Sequence, residues 1–186
     1  GANVASSADA LATETQSYHE NLSKAQADLS TAETEIARIE QLISQIETLR
    51  EKNKQQPTEP IFEMGVEVAA SADPAVVQLR QQLADHDQQL AVLRDRYVET
   101  APQIAVELKT RDAVAKQVVQ AEQKARADAL KSQLELQRSQ LETAKSAKLD
   151  AEARQTKFEQ LLGQHMEKAN QVSGVQAEID HGPRRR

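Results

Sequence analysis

The chain has 186 residues, a net charge of −6 with acids and bases interleaved, no cysteine, no tryptophan and only 2% aromatic residues. Globular cores draw much of their buried area from rings, and here Tyr18, Phe62, Tyr97 and Phe158 lie far apart. The absence of cysteine excludes disulfides and thiolate metal sites, the negative charge disfavours a nucleic-acid surface, and no run of about 18 apolar residues offers a membrane span.

Abundant Ala, Gln, Glu, Lys, Leu and Arg point to long helices. The opening residues, GANVASSADA, lack the basic region and apolar stretch of a signal peptide. With no initial Met, the chain is expected to be an excised fragment, touching a membrane only through segments outside it.

The first region, residues 1–54, reads as one long helix from about Ala8, with a disordered start. Leu11 precedes Tyr18 by a heptad. From Tyr18 the series Leu22, Ala25, Leu29, Ala32, Ile36, Ile39, Ile43 and Ile46 alternates steps of four and three. That period of 3.5 predicts a seam that supercoils against a partner helix, with Leu42 and Leu49 widening it. Leu22, Leu29, Ile36 and Ile43 are the seam-packing candidates here.

Residues 55–73 break the pattern, because Pro57 and Pro60 stop a helix. The stretch from Ile61 to Val68 alternates weakly and reads as either a short strand or an extended loop. Asp73-Pro74 then supplies an N-cap and a first-turn proline for a second helix over 74–101. Its seam is Val76, Leu79, Leu83, His86, Leu90, Leu93 and Tyr97, of which Leu83 and Leu90 are packing candidates. Pro102 with Ala101 before it predicts a kink or tight turn, making Tyr97 and Pro102 the hinge or tip candidates.

The third helix is expected over 102–172, roughly 100 Å long at the usual rise, with a flexible tail over 173–186. Its seam runs through Ile104, Leu108, Ala115, Val118, then Ala121 or Ala125. It continues through Ala127, Leu130, Leu134, Gln137, Leu141, Ala144, Lys148, Ala151, Gln155, Phe158, Leu162, His165, Ala169 and Val172. Leu130, Leu134 and Leu141 are its packing candidates. The polar members suggest incomplete enclosure, and Gly163 and Gly174 are expected to loosen the end. The first two helices together match the third in length. The expected fold is therefore all-α, either a long antiparallel coiled-coil hairpin or an elongated bundle of three helical segments.

No nucleophile elbow, phosphate-binding loop or H-E-x-x-H motif occurs, so neither a catalytic residue nor a cofactor is expected. His86 at a seam position reads as a half-buried histidine with a water or backbone partner. His19 and His165 read as isolated, and His181 falls in the tail, so no metal site is expected. Charged residues such as Glu20 with Lys24 and Glu122 with Arg126 read as solvated helix faces with i,i+4 pairing. The basic Arg184-Arg185-Arg186 end is too short to read as more than a tail.

The segment from Asp73 to Ile104 resembles the periplasmic coiled coil of polysaccharide co-polymerases, the chain-length determinant and exopolysaccharide export proteins. The matching positions are Asp73, Pro74, Val76, Leu79, Leu83, Leu90, Leu93, Tyr97, Pro102 and Ile104. The family often has histidine before that proline, and Ala101 stands there instead. The resemblance implies a periplasmic fragment of an inner-membrane protein that oligomerises and controls the length or export of a surface polysaccharide by scaffolding. Its partners would be copies of itself or another coiled coil, with polysaccharide or an export channel. The competing readings are a helical-hairpin adaptor of efflux or type I secretion and a generic structural coiled coil, for which a cytoplasmic location is the alternative.

Overall fold

Residues 2–55 contain neither proline nor glycine, and nothing interrupts helix there until Pro57. The computed structural model describes the backbone of residues 2–180 and the side chains of residues 10–174. Helix α1 spans Ala2–Gln55 and ends on Lys52 and Lys54, cations that suit the negative end of the helix dipole. A 3-10 turn, Glu63–Gly65, leads into α2, Val66–Ser71. Helices α3, Pro74–Arg96, and α4, Pro102–Asp180, complete the described chain, which contains no strand.

Four expectations change. Helix α1 begins at Ala2 and not near Ala8 after a disordered start. The stretch from Ile61 to Val68 is neither strand nor loop throughout. Met64 (φ 55°) and Gly65 (φ 69°) are both left-handed, which turns the chain out of an extended path. The Glu67 N–H then donates to the Ile61 carbonyl at 3.0 Å, and the inward residues are Ile61, Val66 and Ala70 rather than alternate positions. The second helix stops at Arg96, short of residue 101, because Tyr97 is extended and the residue before Pro102 is biased away from helix. Helix α4 runs on through Gly163 and Gly174, so residues 173–180 are helical; glycine costs only about 1 kcal/mol in a helix interior. Gly1 and residues 181–186, with His181 and the arginine triplet, lie outside the described residues.

The chain divides into two units. The first gathers residues up to Ile39 with those from Gln140 onward. There Glu14 meets His165 at 3.0 Å, Asp28 meets Arg154 at 2.8 Å and Glu33 meets Lys148 at 3.1 Å. As the α1 number rises the α4 number falls, so the two segments run antiparallel. The buried contacts are mostly small: Ala25, Ala32 and Ile39 from α1, and Ala144, Ala151 and Leu162 from α4.

The second unit, Glu40–Ser139, holds the larger side chains. Ile46, Ile61, Val66, Leu130 and Leu134 form one cluster, and Ala70, Val76 and Ala125 form another. Full burial of each Ile, Leu or Val contributes about 1.5–3 kcal/mol, so this unit gains more from packing than the alanine-lined one. Here α4 pairs with α1 through Glu47 and Arg138 (3.5 Å) and with α3 through Asp87 and Arg111 (2.9 Å).

On α1 the buried line is Ala25, Ala32, Ile39, Ile46 and Asn53, one heptad apart, while Leu22, Leu29, Ile36 and Ile43 flank it half-buried. On the other side Asp28 and Glu35 are half-buried in the first unit, and Leu42 and Leu49 take that place in the second. Leu90, Leu130 and Leu134 are buried; Leu83 and Leu141 are half-buried. Ala127, Ala169 and Val172, expected in the α4 seam, are exposed, and Val114 and Arg126 are buried instead.

Candidate functional site

The connection from α1 to α3 has little backbone regularity, and side chains hold it against α4. Between Val118 and Leu130 the inner face of α4 carries small residues, Ala121, Ala125 and Ala129, which leave room for the connection to approach. Arg126 reaches into that space and is 2% exposed. A guanidinium is a planar fork of donors that matches a carboxylate edge. Nε donates to Glu67 Oε2 at 2.7 Å and Nη2 to Glu67 Oε1 at 3.1 Å, while Nη1 donates to the Pro57 carbonyl at 2.9 Å. Glu67 Oε2 also accepts from the Ile61 N–H at 3.2 Å. Glu122, one turn earlier on α4, lies 3.5 Å from Arg126 Nη2 and accepts from Arg80 of α3 at 2.7 Å.

Two cations and two carboxylates thus tie α2, α3 and α4 together. The Arg126 guanidinium holds the Glu67 carboxyl below the usual carboxylate range, aided by the Ile61 N–H and the charge of Arg80 and opposed by burial. Arg126 is raised in turn, first by its hydrogen bond to Glu67. The reading of Glu122 with Arg126 as a solvated i,i+4 pair is therefore corrected for Arg126. Burial in the gap among the alanines engages its other donors with Glu67 and Pro57. The stretch of alanines opposite a proline-bearing connection was the available sequence signal.

Two more polar contacts flank this network. Asn53 Nδ2 donates to the Gln123 carbonyl at 2.9 Å, and Gln123 Nε2 donates back to the Asn53 carbonyl at 3.1 Å. Asn53 is 2% exposed and its Oδ1 has no partner. Further along, Gln133 Nε2 donates to the carbonyl of left-handed Met64 at 3.1 Å. The connection turns Phe62 and Val68 outward, 76% and 75% exposed.

The hinge or tip candidates fall at the α3–α4 connection. Tyr97 caps α3, its N–H donating to the Leu93 carbonyl at 2.9 Å, and Pro102 is the first residue of α4. Arg94 bridges to Glu99 across the turn at 3.0 Å, and Ala101 and Ile104 are buried beneath it. Tyr97 is 46% exposed and Val98 73%, so Tyr97 is not a core residue as its seam spacing implied; the extended backbone at Tyr97 takes it off the helical seam.

The seam histidines have carboxylate partners on the opposing helix. His86 Nδ1 lies 2.6 Å from Glu107 Oε1, in place of the expected water or backbone contact. His165, read as isolated, is buried 3.0 Å from Glu14, with its ring edge-on to Tyr18 at 5.0 Å. Among the described residues no three His, Asp or Glu side chains gather as a metal site would require, and no helix is long and apolar enough to cross a membrane. No family model, no curated protein and no solved structure matches this chain.

Proposed function

We propose that the chain is a non-catalytic scaffold. In this reading the first unit is an antiparallel coiled-coil pair, and the second is a bundle of three helical segments. The chain is the periplasmic part of an inner-membrane protein that oligomerises and controls the export or chain length of a surface polysaccharide. One observation supports this most: four of the ten positions that carry the resemblance, Asp73, Pro74, Tyr97 and Pro102, lie at element boundaries. Asp73 Oδ1 accepts from the Ala75 and Val76 N–H groups at 2.9 and 3.2 Å, and Pro74 is the first residue of α3. Tyr97 ends α3 and Pro102 begins α4. An N-cap, a first-turn proline and a proline-bounded turn at fixed spacing set the length of one helical arm, which is what a scaffold must specify.

The test is the polysaccharide length distribution in the source organism with the gene deleted and then restored. The proposal expects a shifted distribution that the restored gene corrects; an unchanged distribution contradicts it. The exposed Tyr97 and Val98 at the α3–α4 turn favour one competing reading, a hairpin adaptor of efflux or type I secretion that meets a channel through its turn. That reading expects loss of secretion or efflux with polysaccharide length unchanged.

A further inference from the structure

Residues 56–73 are held differently from the helices on either side. A helix carries one backbone hydrogen bond per residue, whereas this connection contributes a three-residue 3-10 turn and a six-residue helix. Its attachment to α4 is made by side chains: Arg126 to Glu67 and the Pro57 carbonyl, and Gln133 to the Met64 carbonyl. Its own Ile61, Val66 and Ala70 turn inward, the first two against Ile46, Leu130 and Leu134 and the third against Val76 and Ala125. At its centre Met64 is left-handed, a conformation disfavoured for any residue with a Cβ. Segments with few backbone hydrogen bonds of their own open at lower free energy than the helices around them.

We propose that residues 56–73 form a strap that opens from α4 as one unit while α1, α3 and α4 stay helical, and that Glu67, Arg126, Glu122 and Arg80 are its catch. The catch is cooperative by construction. One guanidinium, that of Arg126, holds both Glu67 and the Pro57 carbonyl, and Glu67 in turn holds the Ile61 N–H within the strap, so withdrawal of Arg126 releases two points of the strap from α4 together. Glu122 joins Arg126 to Arg80 at 3.5 and 2.7 Å, which brings the start of α3 into the same network. Opening uncovers Leu130 and Leu134 of α4 with Ile46 of α1 in one cluster and Ala125 of α4 in another, apolar residues against which the closed strap packs. This inference does not depend on the polysaccharide reading.

A chain without cysteine allows single-thiol reporters. Val66→Cys places a thiol beneath the strap, and Val114→Cys places one on α4 away from it; the two valines are 1% and 8% exposed. With Ellman's reagent under native conditions, the Val66→Cys protein should react at least about 100-fold faster than the Val114→Cys protein. Adding Glu67→Gln should speed the first by a further factor of about 10 or more, because it removes the bidentate carboxylate of Arg126 and leaves it only Glu122 at 3.5 Å, and change the second by less than about 2-fold. Equal rates for the two thiols, or an equal effect of Glu67→Gln on both, overturns the proposal. Amide exchange of the unsubstituted chain gives a check free of added thiols: residues 61–72 should exchange well ahead of residues 112–130. Exchange of both segments together contradicts independent opening.

Discussion

Replacing Arg126 with Met keeps an apolar stem and removes the guanidinium. The Glu67 carboxylate, 18% exposed, then loses its main partner, and the Pro57 carbonyl loses its donor. Removing one member of a buried ion pair costs about 3–5 kcal/mol. Glu67 keeps the Ile61 N–H and some access to water, which reduces the expected loss to about 2–3 kcal/mol. At a slope near 2 kcal/mol per molar urea, that lowers the midpoint by about 1 M or slightly more. Because the chain has two units, the loss should be followed by circular dichroism and by amide exchange in α2. The double variant Glu67→Met with Arg126→Met removes both charges and should recover at least about 1.5 kcal/mol relative to the sum of the single changes. A loss below about 0.5 kcal/mol for Arg126→Met, or simple additivity in the double variant, refutes the account of Glu67 and Arg126 as a clasp between the connection and α4.

The same pair predicts a pH dependence. The folded Glu67 carboxyl is held below its ordinary value, so in the acid range the unfolded chain binds the extra proton. Its contribution is therefore complete above the ordinary glutamate range and is lost as pH falls through the folded value. Urea midpoints of wild type and Glu67→Gln should differ at neutral pH and converge in acid; a constant gap contradicts this. Ile46→Ala should cost about 3 kcal/mol, since Ile46 is fully buried, and Leu149→Ala less than about 0.5 kcal/mol, since Leu149 is 67% exposed. Comparable losses in thermal or urea melts would show that the buried line is misplaced. Asn53→Leu removes an unpartnered buried Oδ1 but also the Nδ2 bond to the Gln123 carbonyl, so the two effects oppose and stability should change by less than about 1 kcal/mol. In the same variant, alignment of α1 with α4 should become less unique, seen as doubled or broadened NMR signals near residues 50–55. A loss of about 2 kcal/mol or more contradicts this reading of Asn53.

The helical character was readable wherever a strict three-four spacing coincided with an absence of breakers, as from Tyr18 to Ile46. The spacing showed that α1 has a seam but not which of its two lines lies deepest. The Ala25–Ala32–Ile39–Ile46 line is more buried than the Leu22–Leu29–Ile36–Ile43 line, although its first members are small, because the orientation of a face depends on the partner helix. The connection was harder. The alternation from Ile61 to Val68 has the period of a strand, and the Met64-Gly65 turn that defeats it gives only a weak local signal. The clasp was hidden for another reason. An arginine four residues after a glutamate has an ordinary surface explanation, and Arg126 is buried only because a segment about 60 residues earlier, containing Glu67, folds over it. The boundaries marked by Asp73-Pro74 and Pro102 were local and appear where capping chemistry places them. Tyr97 was read as a seam residue because the spacing assumed that helix continued past Arg96.

The most direct test concerns the sense and register in which α4 lies against α1, on which the pairing account depends. In the cysteine-free chain, Asp28→Cys with Arg154→Cys replaces an ion pair at 2.8 Å, whereas Asp28→Cys with His165→Cys is displaced by eleven residues on α4. A bismaleimide about 10 Å long, roughly the reach of the two removed side chains, should bridge the first pair within one chain, and the second, roughly 16 Å further along α4, should be bridged far less. Closure of the second pair in preference to the first, or closure only between chains, would contradict the antiparallel pairing within one chain.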